Sequence, residues 1–168
     1  MGNITLIGMP GSGKSTIGKL LAEKLGWNFL DLDLYISEKE NKSVGEILKE
    51  KGDEEFLKLE EFYALKVPLK NTVFAPGGSI IYLDKVMARL KKESVIIFIN
   101  APFLEIQNRL DGLIENKRGV VGMKGKELID VYNERLPLYR RWADHSMDSV
   151  GSDPSAVLKS IEALLGSL

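Results

Sequence analysis

Residues 8–16 read Gly8-Met9-Pro10-Gly11-Ser12-Gly13-Lys14-Ser15-Thr16 (GMPGSGKST). They follow a short apolar run ending in glycine, NITLIG (3–8), and lead into residues 14–25, where Ile17, Leu20, Leu21 and Leu25 are expected on one helical face. The spacing G-x-x-x-x-G-K-[ST], lying between a strand and a helix, is that of a phosphate-binding loop. Its glycines let the backbone turn N–H groups inward around phosphates, and the start of the helix adds a favourable dipole. Lys14 is placed to reach the β and γ phosphates, and the Ser15 hydroxyl to ligate Mg²⁺. The plain alternative is a glycine-rich turn with a surface lysine, and the full spacing in this context weighs against it. A nucleoside triphosphate site at Gly11, Ser12, Gly13, Lys14, Ser15 and Thr16 therefore anchors the reading.

Outward from the loop, strand and helix signals alternate. WNFLDLD (27–33) reads as a second strand ending at Asp31 and Asp33. Ser43 then caps a long helical stretch bearing Val44, Ile47, Leu48, Phe56, Leu59 and Phe62, interrupted at Gly52. NTVFAPGGS (71–79) is a third strand breaking on Pro-Gly-Gly, SVIIFIN (94–100) a fourth, and HSMDSV (145–150) a weak fifth before the helix opened by SDPSAV (152–157). The near-continuous apolar strands imply a parallel sheet covered on both faces: α/β, three layers α/β/α, five strands. The interval of about 111–125, with four glycines and mixed charge, is the least structured and the candidate mobile lid.

Composition narrows the classes. With 168 residues the chain is expected to be one domain, and no apolar run approaches the roughly 18 residues of a membrane span. The 23 Lys and Arg nearly balance 24 Asp and Glu, and no basic stripe with interleaved aromatics is present, so neither nucleic acid nor membrane is an expected partner. Cysteine is absent, which excludes disulfides and thiolate metal sites, and no signal-peptide pattern follows Met1, so a cytoplasmic location is expected.

A phosphate loop alone serves switches, motors, nucleotide kinases and small-molecule kinases. Asp31 and Asp33 bear on the choice. At the end of a strand, residues two apart point to the same face, where one carboxylate can hold the Mg²⁺ water shell and the other can orient or deprotonate an acceptor hydroxyl. The competing reading is a solvated helix N-cap, with Asp33 starting the helix LYISEKE (34–40). Arg118 lies in the candidate lid, and Arg135, Arg140 and Arg141 share one predicted helix whose bland reading is a solvated face. His145, Trp27 and Trp142 read as structural.

Taken together, these motifs resemble the shikimate kinase family over essentially the full length. Gly8–Thr16 matches its phosphate loop, Asp31-Leu32-Asp33 its D-x-D pair and GDEEFLKLE (52–60) its third motif. APGGS (75–79) stands at its glycine triplet, KRGVV (117–121) at its lid, and ERLPLYRRWAD (134–144) carries its helix arginine at Arg135. The resemblance implies ATP at Gly11–Thr16, Mg²⁺ at Ser15 with Asp31, and a small-molecule acceptor held by Asp33, Gly77, Gly78 and Arg135. It further implies Arg118 reaching over the phosphates, Arg109 near the adenine, and a monomer phosphorylating shikimate for aromatic amino acid biosynthesis.

The pattern breaks at Leu57, where the family has an arginine that clamps the acceptor carboxylate. Lys58 is adjacent but about 100° further round a helix. Ser79 replaces the third glycine and Gly119 the lid proline. Another hydroxy acid or amino alcohol as acceptor, or an ATP-binding regulatory module without acceptor chemistry, stays open on these residues.

Overall fold

The computed structural model describes residues 2–114, 119–151 and 153–166, with backbone alone at 112–114. In chain order the elements are β1 (Asn3–Ile7), α1 (Lys14–Leu25), β2 (Asn28–Asp31), α2 (Leu32–Glu40), α3 (Val44–Lys66), β3 (Thr72–Ala75), a 3-10 turn (Ile80–Tyr82), α4 (Asp84–Glu93), β4 (Val95–Asn100), α5 (Phe103–Ile114), α6 (Leu128–Trp142), β5 (His145–Asp148) and α7 (Pro154–Leu165). The strands form one parallel sheet in the order β2-β3-β1-β4-β5, as the apolar runs predicted.

Side-chain alternation along the central strands builds the layers. Ile4 and Leu6 of β1 and Ile97 and Ile99 of β4 pack with Ile17 and Leu21 of α1 and Val157, Leu158 and Ile161 of α7. Ile7, Ile96 and Phe98 point the other way, into a larger core with Ile36, Ile47, Phe56, Met87, Leu110 and Tyr139. The chain leaving β1 passes to the first face through α1, whereas the chain leaving its neighbour β3 passes to the second through α4. The two strand ends therefore diverge and open a crevice at the C-terminal edge of the sheet, the usual place for a ligand in such a sheet.

Local signals account for the helix boundaries. Ser43 forms the expected capping box with Glu46, and Asp153 caps α7 ahead of Pro154. α3 breaks at Gly52 (φ 79, ψ 175), a conformation essentially restricted to glycine.

Three expectations need correction. Leu20 and Phe62 keep the helical spacing of their apolar neighbours but are 36% and 48% exposed. α1 instead buries Ile17, Gly18, Leu21 and Ala22, and the Phe62 ring lies under the Lys66 ammonium at 3.8 Å. Asp33 is not a strand residue. β2 ends at Asp31, whose carboxylate accepts from the Leu34 N–H at 3.2 Å and starts α2. The interval 111–125 is not uniformly irregular: α5 extends to Ile114. Its residues 119–123 are seated on the protein, with Val121 buried and Gly119 so close that an added Cβ would lie 2.6 Å from Leu48.

Candidate active site

The loop after β1 is drawn tight by Ser12 N–H donating to Met9 O (3.1 Å). Lys14 is 8% exposed, and its Nζ donates to the carbonyls of Gly8 and Met9, both at 2.9 Å. The ammonium is thus held over the loop instead of extending into water. At the head of α1 the Ser15 hydroxyl donates to Asp31 Oδ2 at 2.6 Å. This pair of hard oxygen donors beside a helix N-terminus suits Mg²⁺, which takes carboxylate and hydroxyl oxygens and draws much of its shell from water and phosphate. The N-cap of α2 is therefore Asp31 and not Asp33, and the same carboxylate is the partner of the loop serine.

One cavity of about 460 Å³ receives Gly11, Gly13, Lys14, Ser15 and Thr16 from the loop, Asp31 and Asp33 from the β2–α2 corner, Gly77 and Gly78 after β3, and Arg109 from α5. Asp33 thus reaches the same cavity as Asp31 by a turn of helix and not by strand alternation. Ser12 is fully buried beneath the loop. Arg109 donates to Gly11 O (2.9 Å), Gly151 O (3.0 Å) and Glu105 (2.8 Å), which fixes its guanidinium at the mouth of the cavity.

The opposite wall rests on a side chain that the sequence reading passed over. Glu60 is fully buried; its Oε2 accepts from the Ser79 hydroxyl at 2.6 Å, while Oε1 has no hydrogen-bond partner among the described residues. Burial, reinforced by the Asp33 carboxylate, pushes the Glu60 carboxyl up to about 8 against the opposing pull of Ser79, Arg135 and Lys14. It is therefore largely protonated at neutral pH. A Cβ built on Gly77 would lie 2.7 Å from Glu60 Oε1 and 2.9 Å from Asp33 Oδ1, so only glycine lets the wall approach both acids. Phe56, Glu60 and Ala64 recur every fourth residue on the buried stripe of α3. An acid on that apolar stripe was the signal available in the sequence. Ser79 does not offer its hydroxyl to the cavity, because Glu60 takes it.

Arg135 is 1% exposed, which removes the solvated-face reading for this residue, while Arg140 and Arg141 are exposed. Its Nη2 donates to Val121 O at 2.6 Å, and Nη1 lies 2.9 Å from where a Gly78 Cβ would stand. The buried Tyr139 hydroxyl donates to Gly78 O at 2.6 Å, tying that backbone down from behind. Leu57 is half-buried in the larger core, and Lys58 pairs with Glu54 and Glu55 at the surface, so neither supplies a cation to the cavity. Arg118 lies outside the described residues. Trp27 and Trp142 pack against the two cores as expected, and His145 opens β5.

A family model described as shikimate kinase matches residues 10–165. A shikimate kinase of Persephonella marina is 33% identical over 162 residues, covering 96% of this chain and 97% of its own length. One of Thermodesulfovibrio yellowstonii is 35% identical, covering 96% and 93%. Among solved structures, shikimate kinase from Acinetobacter baumannii in complex with shikimate superposes with a TM-score of 0.90 at 28% identity, covering 99% of this chain and 94% of that one. Matches of this breadth take in the loop, the acidic corner, the glycine wall and the helix of Arg135 together, and with them the chain belongs to the shikimate kinase family.

Proposed function

We propose that the protein transfers the γ-phosphoryl group of ATP to a hydroxyl of shikimate, giving shikimate 3-phosphate, a step of aromatic amino acid biosynthesis. The observation that carries this reading is the shared cavity: a phosphate loop on one wall faces Asp33 and Gly77–Gly78 on the other, with the Arg135 guanidinium directly behind Gly78. Phosphoryl transfer needs little covalent help from a protein and depends on alignment and charge neutralisation.

In this reading Lys14 exchanges its carbonyl partners for β and γ phosphate oxygens, and the loop N–H groups hold the remaining charge. Ser15 and Asp31 hold Mg²⁺, which when bound neutralises charge on the phosphates. Asp33 accepts the proton of the attacking hydroxyl and aims it. A protonated Glu60 leaves Asp33 without a second negative charge beside it, and so keeps the base from being discouraged by its neighbour. Arg135 pairs with the acceptor carboxylate, and with leucine at position 57 it does so without the family's second arginine. Arg118 reaches over the phosphates when the lid, about 111–125, closes and excludes water.

No described helix is long and apolar enough to cross a membrane. A cytoplasmic monomer of one domain is the simplest form consistent with a site built within one chain. A coupled ADP-release assay with Mg²⁺ and a panel of shikimate, homoserine, gluconate, pantothenate and nucleoside monophosphates tests the function. Shikimate should raise turnover far above the basal ATPase. Turnover with another member of the panel and none with shikimate would refute it.

A further inference from the structure

Arg135 is engaged inside the protein by Nη2 at Val121 O, by Nε at the Tyr82 hydroxyl, 3.4 Å away, and by the neighbouring Tyr139 hydroxyl. Nη1 is the one turned to Gly78 and the cavity wall. Its direction depends on how firmly the Val121 carbonyl is held. That carbonyl belongs to the same peptide group as the Gly122 N–H, which donates to Asp53 Oδ2 at 2.8 Å. One peptide plane is thus gripped from both sides, by a carboxylate at its N–H and a guanidinium at its C=O.

Both neighbours of this clamp are built for it. Asp53 follows the Gly52 break directly and stands at the start of the second half of α3, where a helix N-terminus favours an anion. Gly122 has φ +85, a left-handed conformation that directs its N–H toward α3. A carboxylate on the N–H of an amide also polarises the group and strengthens its oxygen as an acceptor. We infer that Asp53 is a positioning residue for the acceptor: through the Val121–Gly122 peptide it aims the Arg135 guanidinium and thereby couples the seated lid segment to recognition of the acceptor's carboxylate. This rests on the reading of Arg135 given above. Asp53 touches no substrate and acts only through that peptide.

The test compares Asp53→Ala, Asp53→Ser and Asp53→Asn with the wild type, in steady-state kinetics with shikimate and with its methyl ester, which lacks the negative charge. Asparagine retains an oxygen that accepts from Gly122, whereas serine favours a helix start but is too short to reach. The Ala and Ser variants should raise the acceptor KM on the order of tenfold and lose the preference for acid over ester by the same factor, with KM for ATP and melting temperature little changed. Asn should restore most of the loss. Equal rises in both KM values, an unchanged preference, a Ser variant like the wild type, or failure of Asn to rescue would each overturn the inference. On the same proteins, nitrogen-15 NMR of the Arg135 Nη groups reads the clamp without substrate. Resolved signals in wild type and Asn that broaden away in Ala and Ser support it, and signals unchanged throughout overturn it. If the wild type does not phosphorylate shikimate, the functional reading falls while the NMR comparison still decides the role of Asp53.

Discussion

Glu60→Gln removes a charge that the fold keeps out of water without changing the side chain's shape, and the amide can still bond to Ser79. Glu60 titrates near 4.5 in the unfolded chain and at about 8 when buried among Asp33, Ser79, Arg135 and Lys14. Between those values the folded state holds a proton that the unfolded state has released, so stability falls as pH rises through this window and levels off above it. At about 1.36 kcal/mol per pH unit the whole interval amounts to a loss on the order of 4–5 kcal/mol. Denaturant unfolding of wild type and Glu60→Gln at a series of values from about pH 5 to about pH 9 isolates this contribution, because other titrating groups cancel in the difference. The two proteins should be close in stability at the acidic end, and the glutamine variant should be more stable by several kcal/mol at the alkaline end. Parallel profiles would refute the reasoning, since they would mean that Glu60 ionises in the folded protein as readily as in the unfolded one.

Asp33→Asn should lower kcat on the order of 10²-fold or more, through loss of the proton acceptor, with ATP affinity measured by calorimetry near that of the parent. Gly78→Ala would set a Cβ 2.6 Å from Pro10 and 2.9 Å from Arg135 Nη1. It should cost about 1–3 kcal/mol of stability and raise the acceptor KM more than the ATP KM in steady-state assays. Gly52→Ala forces an L side chain into φ 79, ψ 175, and thermal melts should show a loss of about 1–3 kcal/mol.

The elements carrying strong local chemistry were legible in the sequence. The loop, the Ser43 capping box, the Gly52 break and the Asp153–Pro154 helix start each depend on a few neighbouring residues, and each is found where it was expected. What escaped depends on partners distant in the chain. Asp33 moved from strand to helix because Asp31 caps α2 while also bonding to Ser15, sixteen positions away. Glu60 entered only as the last residue of the third motif, without a role, and its burial comes from the enclosure by β3 and the turn at Ser79. Arg135 was singled out only by resemblance, since its sequence neighbours Arg140 and Arg141 are solvated. Its burial comes from packing against Tyr82, Gly78 and Val121.

The strands all run one way, and the described groups assigned to the chemistry gather at their C-terminal ends. The turns entering those strands, at Gly26–Trp27, Val67–Asn71 and Ser94, lie at the other edge, roughly 13–20 Å away by strand length alone. That edge is stitched by backbone and amide bonds, Asn28 N–H to Asn71 O (2.8 Å) and the Asn3 side chain to Leu69 O and Glu93 O (3.3 and 2.9 Å). Away from Asn3, it is the side of the molecule where a fused partner, an affinity handle or a surface attachment can be borne with the mouth of the cavity left open to its substrates.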